Sequence, residues 1–141
     1  MAYDQDNIFA KILRGEIPSH KIYEDGDTFS FLDVMPQTKG HALVIPKAPS
    51  ENILTAEVDD LGPLMATVQL ISRAAMKAFR ADGITIQQFN QPAGGQTVFH
   101  THFHVLPRFD GIALKAHSGA MEDQDVLGQL AEAYRGVLGN I

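Results

Sequence analysis

Between Asp59 and Arg80 the apolar residues Leu61, Leu64, Met65, Val68, Ile71, Ala75 and Phe79 recur at three- and four-residue steps, the spacing of one face of a helix. A long amphipathic helix is predicted from Asp59 or Asp60 to Arg80. Pro63 is tolerated in its first turn and Gly83 is the expected stop. A shorter helix, capped by Asp6, is expected to end near Gly15, and a weaker one runs from Gln124 to Leu138. Period-two segments predict strands at Ser19 to Glu24 and Thr28 to Asp33, joined by the turn Asp25-Gly26-Asp27. His41 to Ile45 is almost continuously apolar and is therefore expected in the middle of a sheet, with further strands at Ile84 to Asn90 and Val98 to Leu106. The order of these elements predicts an α+β fold, a five-stranded, mainly antiparallel sheet with one long and one or two shorter helices.

The last strand carries the chemistry. His100, His102 and His104 alternate with Thr101 and Phe103, so on a regular strand all three imidazoles share one face. At ~3.3 Å per residue the outer two lie ~13 Å apart, and His102 can serve either neighbour or a common ligand. Three readings fit the row: a solvated histidine-rich face, a metal site completed by a ligand from elsewhere, or a nucleophile toward phosphorus. The flanks favour the third. Gly94 and Gly95 allow backbone to approach an anion closely, while Gln96 and Thr97 add short polar groups beside the same spot.

Composition narrows the classes. A chain of 141 residues suits one domain, and 17 acidic against 11 basic residues, a net charge of −6, argues against a nucleic-acid or anionic-membrane surface. No apolar run approaches a membrane span, and Met1 to Asn7 lacks the layout of a signal peptide, so a cytoplasmic location is expected. The absence of cysteine excludes disulfides, thiolate metal ligands and a cysteine nucleophile.

The run from Gly95 to Arg108 resembles the signature of the histidine triad (HIT) nucleotide-binding family, with Thr101 where a hydrophobic residue is usual. The likeness extends through Ile8 to Pro18, which is similar to the Hint branch, Phe31 to Val34 and Gly40 to Lys47. It implies a HIT-like fold over residues 1–141 with a C-terminal helical extension from about 112, and a homodimer joined through the long helix and fourth strand. It also implies attack by His102 on the α-phosphorus of a purine nucleoside phosphoramidate or related conjugate. A nucleotidyl-histidine forms and water then releases a monophosphate such as AMP or GMP. His104 and Thr97 contact the phosphate or protonate the leaving amine, His100 completes the triad, and backbone N–H groups near Gln96 and at His102 to His104 stabilise the oxyanion.

The resemblance assigns Asp33 to the ribose hydroxyls, although alone it reads as a turn residue. Phe9, Phe31 and Val34 are candidates for the base slot. His41 alone reads as a core histidine and by resemblance orients the triad. Asn90 is a loop-starting residue or a sugar and phosphate contact. Gly95 and Gln96 belong to the phosphate loop. His20 and His117 read as surface histidines, although His117 lies in a segment that can approach a site. Some bacterial members hold structural zinc through a Cys-x-x-Cys pair, the first triad histidine and a histidine after the Pro-Lys strand end. The matching positions here are Asn7, Ala10 and Pro49, which leaves His100 alone, and no metal or cofactor is expected. The alternatives are a diadenosine polyphosphate hydrolase, a nucleotide-binding regulator with weak catalysis, and a metal-binding histidine site.

Overall fold

The structure, a computed structural model, describes residues 2–116 and 119–139; His117 lies outside them. The elements run α1 (Ile8–Leu13), β1 (Lys21–Glu24), β2 (Thr28–Leu32), β3 (Ala42–Pro46), α2 (Val58–Phe79), β4 (Gly83–Gln87), β5 (Phe103–Arg108) and α3 (Gln124–Leu138), with a 3₁₀ turn at Pro92–Gly94 before β5. The five strands form one sheet in the order β1-β2-β3-β5-β4, antiparallel throughout.

Alternation along the inner strands divides the core. Leu32, Ala42, Val44, Phe103 and Val105 face α2 and α3, whereas Phe29, Phe31, Leu43 and Ile45 face Phe9 and Ile12 of α1. That two-sided burial is why β3 reads as a nearly unbroken apolar run. The C-terminal helix belongs to the same core. Tyr134 is fully buried, its ring meets Phe79 edge-on, and its hydroxyl donates to the Gly40 carbonyl at 2.6 Å. Gly40 has φ +80°, and a Cβ there would lie 2.6 Å from the Phe79 ring, so this turn before His41 requires glycine.

Several boundaries differ from expectation. Asn7, not Asp6, caps α1: the helix begins one residue later than expected, at Ile8, and the Asn7 side-chain oxygen accepts from the Ala10 amide at 2.9 Å. The long helix stops at Arg80, which takes a left-handed conformation (φ 51°), and Gly83 instead opens β4. The last strand starts at Phe103 rather than Val98. Residues 98–102 are held by the loop at residues 50–52: the Thr101 amide donates to Ser50 O, and Gln96 Nε2 donates to the Glu51 and Val98 carbonyls. Side-chain and loop partners thus replace the ladder, and the strict alternation assumed for all three histidines does not apply to His100.

Candidate active site

Five strands lay one row across the sheet. Lys21 of β1 pairs with Phe31 of β2, Phe31 with Leu43 of β3, Leu43 with His104 of β5, and His104 with Gln87 of β4. Cross-strand partners share a face, so Phe31 and Leu43 floor a cavity of about 560 Å³ that His104 walls at one end. A second cavity, about 230 Å³, opens on the other side of the same histidines and is lined also by Gln37, Gln87, Phe89 and Gly95. Thr97, His102 and His104 border both. The His102 and His104 rings lie 5.2 Å apart, and Phe9 of α1 meets His102 edge-on at 4.9 Å.

The hydrogen bonds assign every ring proton. Gln37 N–H donates to His41 Nδ1 at 3.1 Å, so the neutral His41 carries its proton on Nε2 and gives it to His104 Nδ1 at 2.9 Å. His104 then holds its own proton on Nε2. His102 Nδ1 lies 2.6 Å from the His100 carbonyl, which can only accept, so the proton is on Nδ1 and the lone pair on Nε2. His100 is tied at both nitrogens, Nε2–H to the Pro46 carbonyl at 2.8 Å and Nδ1 to the Tyr3 hydroxyl. Burial raises the Tyr3 hydroxyl above its ordinary value and keeps it a donor. Burial pushes His100 down to about 4, helped by nearby His102 and opposed by the Pro46 carbonyl, so this ring is neutral at pH 7. The arrangement presents one neutral imidazole nitrogen lone pair beside one imidazole N–H donor, the pairing that nucleophilic attack on phosphorus requires.

Of the residues singled out by sequence, Phe9, Phe31, Asp33 and Val34 line the large cavity with Thr97, His102 and His104. Asp33 does two things: its Oδ1 accepts from the Met35 amide at 2.9 Å, and its Oδ2 lies 3.6 Å from His41 Nε2. Gly95 borders the small cavity. Gln96 does not offer its amide to a ligand. Its backbone N–H donates to Gln91 O, and its side chain binds Asn52, Gln91, Glu51 and Val98, which makes it the tie between two loops. Asn90 is paired reciprocally with the Gln88 amide and accepts from the Ile53 amide, and it is not among the cavity-lining residues. His20, read as a surface residue, is half-buried; its bond to Gln124, at 2.8 Å, is exposed, and it also borders the large cavity. Sequence reasoning missed Tyr3, Gln37 and Gln124. Gln37 acts through its backbone amide, which no side-chain pattern announces.

Two metal possibilities were tested on the donors present. Asp33, His41 and His104 place ligand atoms within 4.8 Å of one another. Yet His41 accepts a backbone N–H at Nδ1, so a metal on its Nε2 would require an imidazolate, and the set suits a hydrogen-bonded relay rather than an ion. The zinc position seen in some relatives is equally unsuited: Asn7 caps α1, Ala10 and Pro49 have no donor side chain, and both nitrogens of His100 have protein partners.

Comparison with known proteins agrees with this geometry. The HIT domain family profile matches residues 14–111. A crystal structure of a Hit-like protein involved in cell-cycle regulation from Bartonella henselae, solved with an unknown ligand, superposes with a TM-score of 0.91 at 48% identity, covering 96% of this chain and 99% of that one. A histidine triad nucleotide-binding protein from Sulfolobus tokodaii superposes at 0.85 with 30% identity over 94% of this chain and 91% of that one. Among curated relatives, the adenylylsulfatase HINT3 of Arabidopsis thaliana is 39% identical over 103 residues, 73% of this chain and 52% of that protein. With a profile match over most of its length and its three histidines at positions 100, 102 and 104, leading into β5, the chain belongs to the histidine triad family.

Proposed function

We propose that the protein hydrolyses purine nucleoside phosphoramidates or related nucleotide conjugates at the α-phosphorus through a nucleotidyl-His102 intermediate. The observation that carries this reading is the His102 Nδ1 to His100 O hydrogen bond, which leaves the Nε2 lone pair at a wall common to two cavities. The nucleotide occupies the large cavity and the leaving group the small one. His102 Nε2 forms a bond to phosphorus as the bond to the leaving nitrogen breaks. That nitrogen keeps the electron pair and takes a proton from solvent. Water then attacks phosphorus on the opposite side, the P–Nε2 bond breaks, and a nucleoside monophosphate is released with its proton passed to solvent.

His104 serves as a hydrogen-bond donor to a non-bridging oxygen rather than as an acid. With Nδ1 accepting the hydrogen bond from His41 Nε2–H, the ring has no place for a second proton of its own. His41, backed by Asp33, positions His104, and Asp33 accepts from the ribose hydroxyls. Phe9, Phe31 and Val34 flank the base. Thr97 contacts the phosphate, and Gly95 admits the leaving group. The cationic side chains Lys and Arg do not line the small cavity, which supports a small leaving group over the second nucleotide of a diadenosine polyphosphate. The Arabidopsis relative's name supports a second reading, adenylyl sulfate, whose leaving sulfate needs no proton.

Incubation with an adenosine phosphoramidate, adenylyl sulfate and a diadenosine polyphosphate, followed by measurement of AMP, tests the proposal. Rapid denaturation and mass spectrometry should find the adenylyl group on His102. AMP release without that adduct overturns the covalent step, and no AMP from any of the three leaves a nucleotide binder. A homodimer and a cytoplasmic location are part of the same reading; among the described residues no helix is long and apolar enough to cross a membrane.

A further inference from the structure

The large cavity does not end at its apolar walls. From His104 its floor crosses Leu43 and Phe31 to the start of β1, three strand spacings or ~14 Å away. At that end stand His20, the residue before β1, and Gln124, the first residue of α3, joined by a hydrogen bond between His20 Nε2 and Gln124 Oε1 at 2.8 Å. They meet from positions 104 residues apart, and both line the cavity. Between them and the histidines the walls include Ile8, Phe9, Ile12, Ile17 and Leu43, with Asp33 close to His41 and His104. Ser19 adds a hydroxyl at this far end.

We propose that the His20–Gln124 pair reads the outer edge of a purine base and so sets which nucleotides this site accepts. This rests on the nucleotide reading above. With phosphorus at His102 and ribose at Asp33, the base lies among the apolar walls, and only the six-membered ring of a purine reaches the pair. His20 Nε2–H donates to Gln124 Oε1, so the hydrogen-bonding capacity that the glutamine keeps for a ligand is its amide NH₂, a donor. That donor matches a ring nitrogen or carbonyl on the purine edge. A slot made only of apolar groups discriminates weakly between bases, whereas a donor that must be satisfied discriminates by hydrogen bonding. The bond to His20 ties Gln124 to the residue before β1, and α3 thereby contributes a residue to the lining of the cavity as well as Leu127, Ala131 and Tyr134 to the core.

The test is titration calorimetry of AMP, CMP and ribose 5-phosphate against wild type, Gln124→Leu and Gln124→Glu. Wild type should bind AMP more tightly than CMP. Gln124→Leu should weaken AMP by about 3- to 10-fold, the range for one neutral hydrogen bond, and bring it toward CMP. Gln124→Glu retains the acceptor for His20 but loses the donor, and it should weaken AMP at least as much. Ribose 5-phosphate, which has no base, should bind all three alike. AMP affinity unchanged in both variants, or a wild type that binds AMP and CMP equally, overturns the assignment while leaving the nucleotide site standing. A wild type that binds none of the three removes the nucleotide reading and this inference with it.

Discussion

Tyr3 and His100, 97 positions apart, are joined by a hydrogen bond from the tyrosine hydroxyl to Nδ1 of a ring with no exposed surface. Through the His100 backbone carbonyl the same residue holds the His102 proton, so the N-terminal segment reaches the proposed nucleophile in two steps. Tyr3→Phe strips a partner from a buried acceptor and is expected to destabilise the fold by about 1–3 kcal/mol, read from the denaturant midpoint at constant m. A midpoint unchanged from wild type would remove Tyr3 from the support of the site.

The neutral state of His100 sets an acid limit. Its folded value, about 4, lies below the ordinary 6.5, so between these pH values the unfolded chain binds a proton that the folded one does not. Stability is therefore complete above about 6.5 and falls as pH drops toward 4, by on the order of 3 kcal/mol from this group. In the His100→Asn variant that part of the pH slope should be absent, even if the variant is less stable throughout. Parallel stability curves for the two proteins would show that His100 does not carry the effect.

If His102 is the nucleophile, His102→Ala should show no turnover of an adenosine phosphoramidate while AMP affinity stays within about tenfold of wild type, because the bond to phosphorus is lost and the cavity remains. Normal turnover in that variant would sink the covalent mechanism.

Asp33→Asn keeps the size of the side chain and the Met35 turn acceptor but removes the charge. Loss of a carboxylate that binds both ribose hydroxyls should weaken AMP by roughly 1.5–3 kcal/mol, with little effect on the 2',3'-dideoxy analogue. Were wild type and variant to discriminate equally between the two ligands, Asp33 would be a turn residue alone.

Because a metal on His41 would require an imidazolate, activity should survive EDTA, with elemental analysis of purified, tag-free protein as the companion measurement. Loss of activity on chelation, restored by zinc, would reverse the reading of the Asp33, His41 and His104 cluster.

The strands and the long helix were legible because apolar periodicity in β2, β3 and α2 directly records which faces are buried. C-terminal helix α3 was legible for the same reason, and its bounds were anticipated at Gln124 and Leu138. Period two also anticipated that His102 and His104 would share a wall, but it failed at His100, where loop hydrogen bonds from Ser50 and Glu51 override the strand. Gln96 looked like a phosphate donor because its neighbours are glycines; only its four side-chain partners, two of them in the distant loop at Glu51 and Asn52, show that it is occupied. That His20 also borders the cavity was not legible, because its partner comes from the far end of the chain and contacts of that sequence separation leave no local pattern.

The strand order has a mechanical consequence. β5, which carries His104, is paired on both sides, whereas β1 borders β2 alone and its register shifts between Lys21 and Tyr23. An edge ladder with an irregularity opens more readily than an interior one, so amide exchange should be faster in β1 than in β3 or β5. The molecule is stiff where bonds are made and broken and compliant at the opposite margin. Substitutions along that margin can retune the ligands admitted over evolutionary time while leaving the reactive centre undisturbed.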